Sequence, residues 1–234
     1  MLEFQDNSGQ FAFVTDGGPV YHETTPGNFI IEPWNAFSSL VFLIPVILIL
    51  IKLRGSYNKN KFLVYLCAPL LFTGGIGSFL YHAFRSAPWL MYMDVLPITL
   101  LTISLSMYFL IKVLKRLWVA LIIILASIAI RFISFYVLQM QSAINVSYFI
   151  TGLIIFIPAI FYLLQTSFIA ANWLIVSVLL FSLALFFRFY DDLPEQFFSQ
   201  GTHFLWHVFC AAGATSVGEY ILKTRNKVLA KHKN

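Results

Sequence analysis

Gly201-Thr-His-Phe-Leu-Trp-His-Val-Phe-Cys210 opens an apolar run that continues to Ile221. Read as a helix, it sets His203 and His207 one turn apart, so both rings project from one face. Imidazoles at i and i+4 form a pincer for zinc or a similar ion. The plain alternative is two buried histidines bonded to backbone or to each other. Ionisable side chains inside an apolar span are costly and need a reason. That reason has to be sought in the rest of the chain.

Of the 234 residues, 59% are hydrophobic and only 11% charged, against about 25% charged in a soluble domain. The apolar residues fall in blocks of membrane-spanning length, too long for barrel strands, so the expected fold is all-α: a polytopic seven-transmembrane helix bundle. The expected spans are 32–52, 62–84, 89–111, 117–138, 146–164, 168–187 and 201–222. They form one transmembrane domain, 32–222, between an N-terminal segment, 1–31, and a basic tail, 223–234. The N-terminal segment carries Glu3, Asp6, Asp16 and Glu23 but no Lys or Arg, and it has no apolar stretch that would mark a cleavable signal peptide. Cys67 and Cys210 lie in apolar runs and suggest no disulfide.

Charge asymmetry gives the direction. Lys52, Arg54, Lys59 and Lys61, then Lys112, Lys115 and Arg116, then the tail with Lys223, Arg225, Lys227, Lys231 and Lys233, share one side if the spans alternate. Asp191, Asp192, Glu195 and the acidic N-terminal segment share the other, with only Arg85 and Arg188 near its loops. By the positive-inside rule the N-terminus is outside and the C-terminus cytoplasmic. The net charge of +5 is then a topology signal that requires no nucleic-acid partner, and the tail can meet anionic lipid. Gly74, Gly75 and Gly77 would let another helix approach closely. Pro97 is expected to kink the third span near Asp94. Arg131, inside the fourth, either snorkels to the interface or pairs with an acid.

The second span ends GSFLYHAF, Gly77 to Phe84, with Ser78 and His82 on one face. The third opens with Pro88 to Ile98 and supplies Asp94. On the expected topology His82, Asp94, His203 and His207, from three helices, share one membrane depth near the exterior end. Three histidines plus an open position is the ligand count of a catalytic zinc site. His82, His203 and His207 would hold Zn²⁺ and a water whose pKa falls to about 7. Asp94 would act as general base and Ser78 would orient a carbonyl or its oxyanion. The alternatives are a Ser78 hydroxyl bonded back to the Gly74 carbonyl and an Asp94 that only supports a histidine.

The combination Ser78–x3–His82, Asp94 and His203–x3–His207 resembles the alkaline ceramidase family. That family belongs to a broader group of seven-span metal hydrolases that includes the progestin and adiponectin receptors. Glu32-Pro-Trp-Asn35 resembles the family's Glu-x-x-Asn signature, and the likeness runs from about Tyr21 to Cys210. The resemblance implies hydrolysis of ceramide to free fatty acid and sphingoid base, with zinc on the three histidines and Asp94 and Ser78 in catalysis. It also implies an N-terminal calcium site, for which Glu23, Glu32 and Asp16 are the candidates. Here the match is partial: Tyr21-His22-Glu23-Thr24 stands where bacterial-type members read Tyr-Cys-Glu-Arg, and the acid expected before the tyrosine is absent. A solvated acidic segment is the alternative. Ser38-Ser39 also departs from the family's first-span signature. The Glu-Pro-x-Asn variant is similar to bacterial members, which implies the cell membrane. Two further readings stay open: a seven-span lipid receptor or sensor with a structural zinc, and a hydrolase of another lipid amide or ester.

Overall fold

The computed structural model describes residues 4–5, 11–12, 14 and 16–231; Glu3, Asp6 and Lys233, assigned above to the acidic segment and the basic tail, lie outside them. Phe4–Gln5 (β1) pairs antiparallel with Phe11–Ala12 (β2). The long elements are helices: Pro33–Lys52 (α1), Phe62–Phe84 (α2), Pro88–Leu114 (α3), Leu117–Val137 (α4), Met140–Gln165 (α5), Ala171–Tyr190 (α6) and His203–Lys231 (α7). The first six are long and apolar enough to cross a membrane, which makes this a multi-pass membrane protein by length and composition. Their outward faces carry large apolar side chains, such as Ile51 at 70% and Phe132 at 73% exposure, an arrangement that water would penalise and lipid would not.

The expected seventh span, α7, is not among the six. His203, His207 and Glu219 interrupt its apolar length, and its helix runs on through Lys223 and Arg225 to Lys231. Lys and Arg are good helix formers, and no breaker follows Leu222. The fifth helix begins at Met140, six residues before the expected 146, because nothing between Met140 and Val146 opposes a helix. α1 tightens to a 3₁₀ turn at Leu40–Phe42. Pro45, which cannot donate to the Val41 carbonyl, lies just beyond it.

The chain divides into two compact units, Met1–Thr99 with Phe186–Ala211 and Leu100–Leu185 with Ala212–Asn234. In the second, Leu110, Ala120 and Ile124 form a buried cluster, and Phe109, Tyr162 and Tyr220 gather with ring centroids 6.0–6.5 Å apart. The Arg131 Nη2 donates to Thr151 Oγ1 at 2.9 Å, so its partner is a hydroxyl on the next helix and not an acid.

In the first unit the three glycines of α2 are close-approach points, as expected. A methyl group at Gly74 would strike Ile98, one at Gly75 would press on Phe42 and the Ser39 carbonyl, and one at Gly77 would overlap the Met93 carbonyl. Met93 is the residue whose carbonyl Pro97 leaves without a helical donor. α3 nonetheless stays helical through Pro97. Gly77 thus brings the backbone of α2 against that of α3 at the residue before Asp94.

Candidate metal centre

α2 ends at Phe84 and leaves its last carbonyls without helical partners. The incoming N-terminal segment satisfies two of them: Ile31 N–H donates to Ala83 O at 2.9 Å and Glu32 N–H to His82 O at 3.1 Å. This pairing delivers Glu32 to His82, whose Nδ1 lies 2.5 Å from Glu32 Oε2. A carboxylate only accepts, so His82 carries its proton on Nδ1. His82 Nε2 is then a bare acceptor, and it is buried with no hydrogen-bond partner.

The start of α7 is set by Asp191. Its Oδ1 accepts from Thr202 N–H at 2.5 Å and His203 N–H at 2.9 Å, capping the helix that carries both histidines. Gly201 makes the turn at φ +77°, and a side chain there would collide with Asp191 and with His22. His203 and His207 therefore face α2. His82, His203 and His207 are all buried, and one ligand atom from each lies within 4.8 Å of the others.

The other two rings have partners as well. His207 Nδ1 lies 2.8 Å from Ser38 Oγ and 3.3 Å from Ser39 Oγ. Ser38 gives its own proton to the Asn35 carbonyl, so its oxygen accepts from His207 Nδ1–H and leaves Nε2 bare. His203 Nδ1 lies 3.3 Å from Arg188 Nη1. Guanidinium only donates, which puts the proton of a neutral His203 on Nε2, so this ring must give up a proton or that hydrogen bond to hold an ion. Tyr21 packs over His203 with centroids 3.9 Å apart.

Three imidazoles with two bare nitrogens, one of them an orphaned buried acceptor, fit a transition metal held by nitrogen. Ser78 is buried and hydrogen-bonds Ser39 at 2.9 Å and the Asp94 carboxyl. Asp94 also lies within electrostatic range of His82. All five residues expected at the zinc site thus meet in one place.

The three residues expected to hold calcium are arranged otherwise. Glu23 takes Trp34 N–H at 2.6 Å and Asn35 N–H at 2.9 Å, capping the first turn of α1. Burial pushes its carboxyl above the usual range, and those two N–H bonds pull against the rise without cancelling it. Asp16 binds Arg85 through both oxygens, Oδ2 at 2.5 Å from Nε and Oδ1 at 3.1 Å from Nη2. Glu32 Oε1 accepts from Arg85 Nη1 and from Thr24 Oγ1, while Oε2 faces His82. Calcium takes six to eight oxygens; these carboxylates are committed to a helix end, a guanidinium and an imidazole, and they do not fit the ion.

Arg85, Arg188, Asp191, Ser38 and Ser39 are the working residues that spacing did not single out. Arg85 and Arg188 read as loop charges, yet they are buried at 1% and 2% exposure. Two arginines next to an acidic segment, on the side of the expected topology that no other cation but Arg131 approaches, were the available signal. Compared with protein-family models, with curated proteins and with solved structures, the chain matches none.

Proposed function

We propose that this protein is a zinc-dependent intramembrane amidase that splits ceramide, an N-acylated sphingoid base, into free fatty acid and sphingoid base. In this reading α7 is a seventh span, the N-terminus is outside and the C-terminus cytoplasmic. The observation that carries the proposal is the orphaned Nε2 of His82, buried among three imidazoles with a carboxylate–serine pair beside it.

Zinc, when bound, supplies a Lewis acid and lowers the pKa of water toward neutrality. The remaining work falls to the chain. Glu32 and Ser38 hold the Nδ1 protons of His82 and His207, which fixes both rings with Nε2 toward the site. Asp94 accepts a proton from the attacking water and returns it to the departing nitrogen. Ser78 donates its single proton to Asp94 and so orients that carboxylate; it would turn that proton to the carbonyl oxygen only by releasing Asp94, once Asp94 has taken a proton from water. In sum, the amide C–N bond breaks, the water oxygen goes to the carbonyl carbon and its proton to the amine. A two-chain lipid would reach the site sideways from the bilayer.

The test is hydrolysis of labelled ceramide by the purified protein, with zinc measured by elemental analysis. Turnover is expected, with zinc lost in the His82→Ala, His203→Ala double variant and turnover lost in His207→Ala and Asp94→Asn. Ceramide binding without turnover in zinc-loaded protein would replace the enzyme with a lipid sensor. Turnover of other lipid amides or esters but not ceramide would move the substrate class.

A further inference from the structure

Arg85 stands three residues after His82, on the last turn of the helix that supplies this histidine. It is the C-cap of α2, and it adopts φ 45°, the left-handed region that a non-glycine residue enters only when its surroundings hold it there. They do hold it. Its Nε and Nη2 grip Asp16, its Nη1 reaches Glu32, and its Nη2 also donates to the Pro19 carbonyl at 2.9 Å. The guanidinium lies over the Tyr81 ring, 4.7 Å from its centroid, with Tyr21 at 5.8 Å. Asp16, Glu32 and Arg85 are all at 1% exposure or less.

A cation that draws together two carboxylates and a backbone carbonyl does what a divalent ion does in an oxygen cage. The guanidinium fork does it with directed N–H bonds. Glu23 is committed to the first turn of α1, so Asp16 and Glu32 alone would offer fewer oxygens than calcium takes.

We infer that Arg85 is the resident cation of the N-terminal acid cluster, tying the segment from Asp16 to Glu32 onto the three-histidine group in place of a bound divalent ion. The tie ends on a candidate metal ligand, because Glu32 is gripped by Arg85 through one oxygen and by His82 Nδ1 through the other. Arg85 is a positioning residue: it touches no reacting group and acts through Glu32. The protein accordingly needs no calcium to hold its N-terminal segment.

The experiment uses the full chain in detergent micelles, with thermal unfolding followed by tryptophan fluorescence and with terbium luminescence as the probe for a calcium site. Wild-type protein is expected to show no change in unfolding midpoint with millimolar calcium and no terbium site. Arg85→Ala is expected to lower the midpoint by roughly 10 °C, since it takes the guanidinium away from two buried carboxylates. Millimolar calcium should recover much of that loss, because the vacated space is walled by Asp16 and Glu32. Adding Asp16→Asn to Arg85→Ala should abolish the rescue. Arg85→Lys, which keeps the charge but loses the fork, should fall between. The inference is overturned if calcium raises the wild-type midpoint and Asp16→Asn removes that rise, or if Arg85→Ala melts with wild type. Should Arg85→Ala not fold, the wild-type calcium and terbium titrations still decide. None of these measurements uses hydrolysis, so their failure leaves the proposed function standing, and the reverse.

Discussion

Glu32 serves two masters through two oxygens. Burial pushes its carboxyl up, but hydrogen bonds from His82 and Thr24 and the nearby Arg85 charge pull the other way, and the net lies below the usual carboxylate range. An ionised Glu32 keeps the His82 proton on Nδ1 and so keeps Nε2 bare. Ser38 does the same for His207 with a neutral oxygen. Such partners of ligating histidines are worth about 10–100-fold in metal affinity. Glu32→Gln and Ser38→Ala are therefore each expected to weaken zinc binding by that order, measured by competition with a coloured chelator. Equal affinity in all three proteins would mean that these contacts do not prepare the rings.

Single helices carry the site because their backbones come close at chosen points. Gly77 is the clearest of these, since its neighbour is the Met93 main chain and not a movable side-chain tip. Gly77→Ala must push α3 away and take Asp94 with it. The expected loss of stability is about 1–3 kcal/mol, read as a lower unfolding midpoint together with disturbed zinc binding. Gly218, in α7, is the control: nothing lies within 4 Å of a methyl group placed there. Gly218→Ala should leave stability unchanged or raise it by up to about 1 kcal/mol through helix propensity alone. The glycines of α2 were legible in the sequence as points of approach. Which residue each would meet was not, because a helix sequence states the face a residue occupies and not what packs on it.

For the folded molecule as a whole, pH acts through carboxyls that folding buries. Burial pushes Asp191 above its usual range, against the pull of backbone N–H bonds from Thr202, His22 and His203. A folded state that holds this proton to higher pH than the unfolded chain loses stability as pH rises through the window between the two. Asp191→Asn keeps an oxygen to accept from α7 and removes the ionisation. The unfolding midpoint of the variant minus that of wild type is expected to grow as pH rises from about 3 to 7. A difference independent of pH would mean that Asp191 titrates normally. Glu32 works in the opposite sense: its lowered pKa contributes stability above the usual carboxylate range that is lost on acidification.

The membrane class, the approximate placing of the helices and the phase that puts Ser78 with His82 and His203 with His207 are local properties, set by apolar runs and a 3.6-residue turn, and the sequence alone determined them. Asp94 and the three histidines could be nominated because few side chains that ionise or bind metal occur inside such runs. The rest depended on pairings across long stretches of chain: Arg85 with Asp16 and Glu32, His207 with Ser38, Asp191 with the start of α7. Electrostatic and hydrogen-bond partners are chosen by proximity in space, and no periodicity encodes which distant acid will meet which cation. Only the tertiary structure could show that the acids expected to cage calcium had already been claimed by an arginine and a helix end.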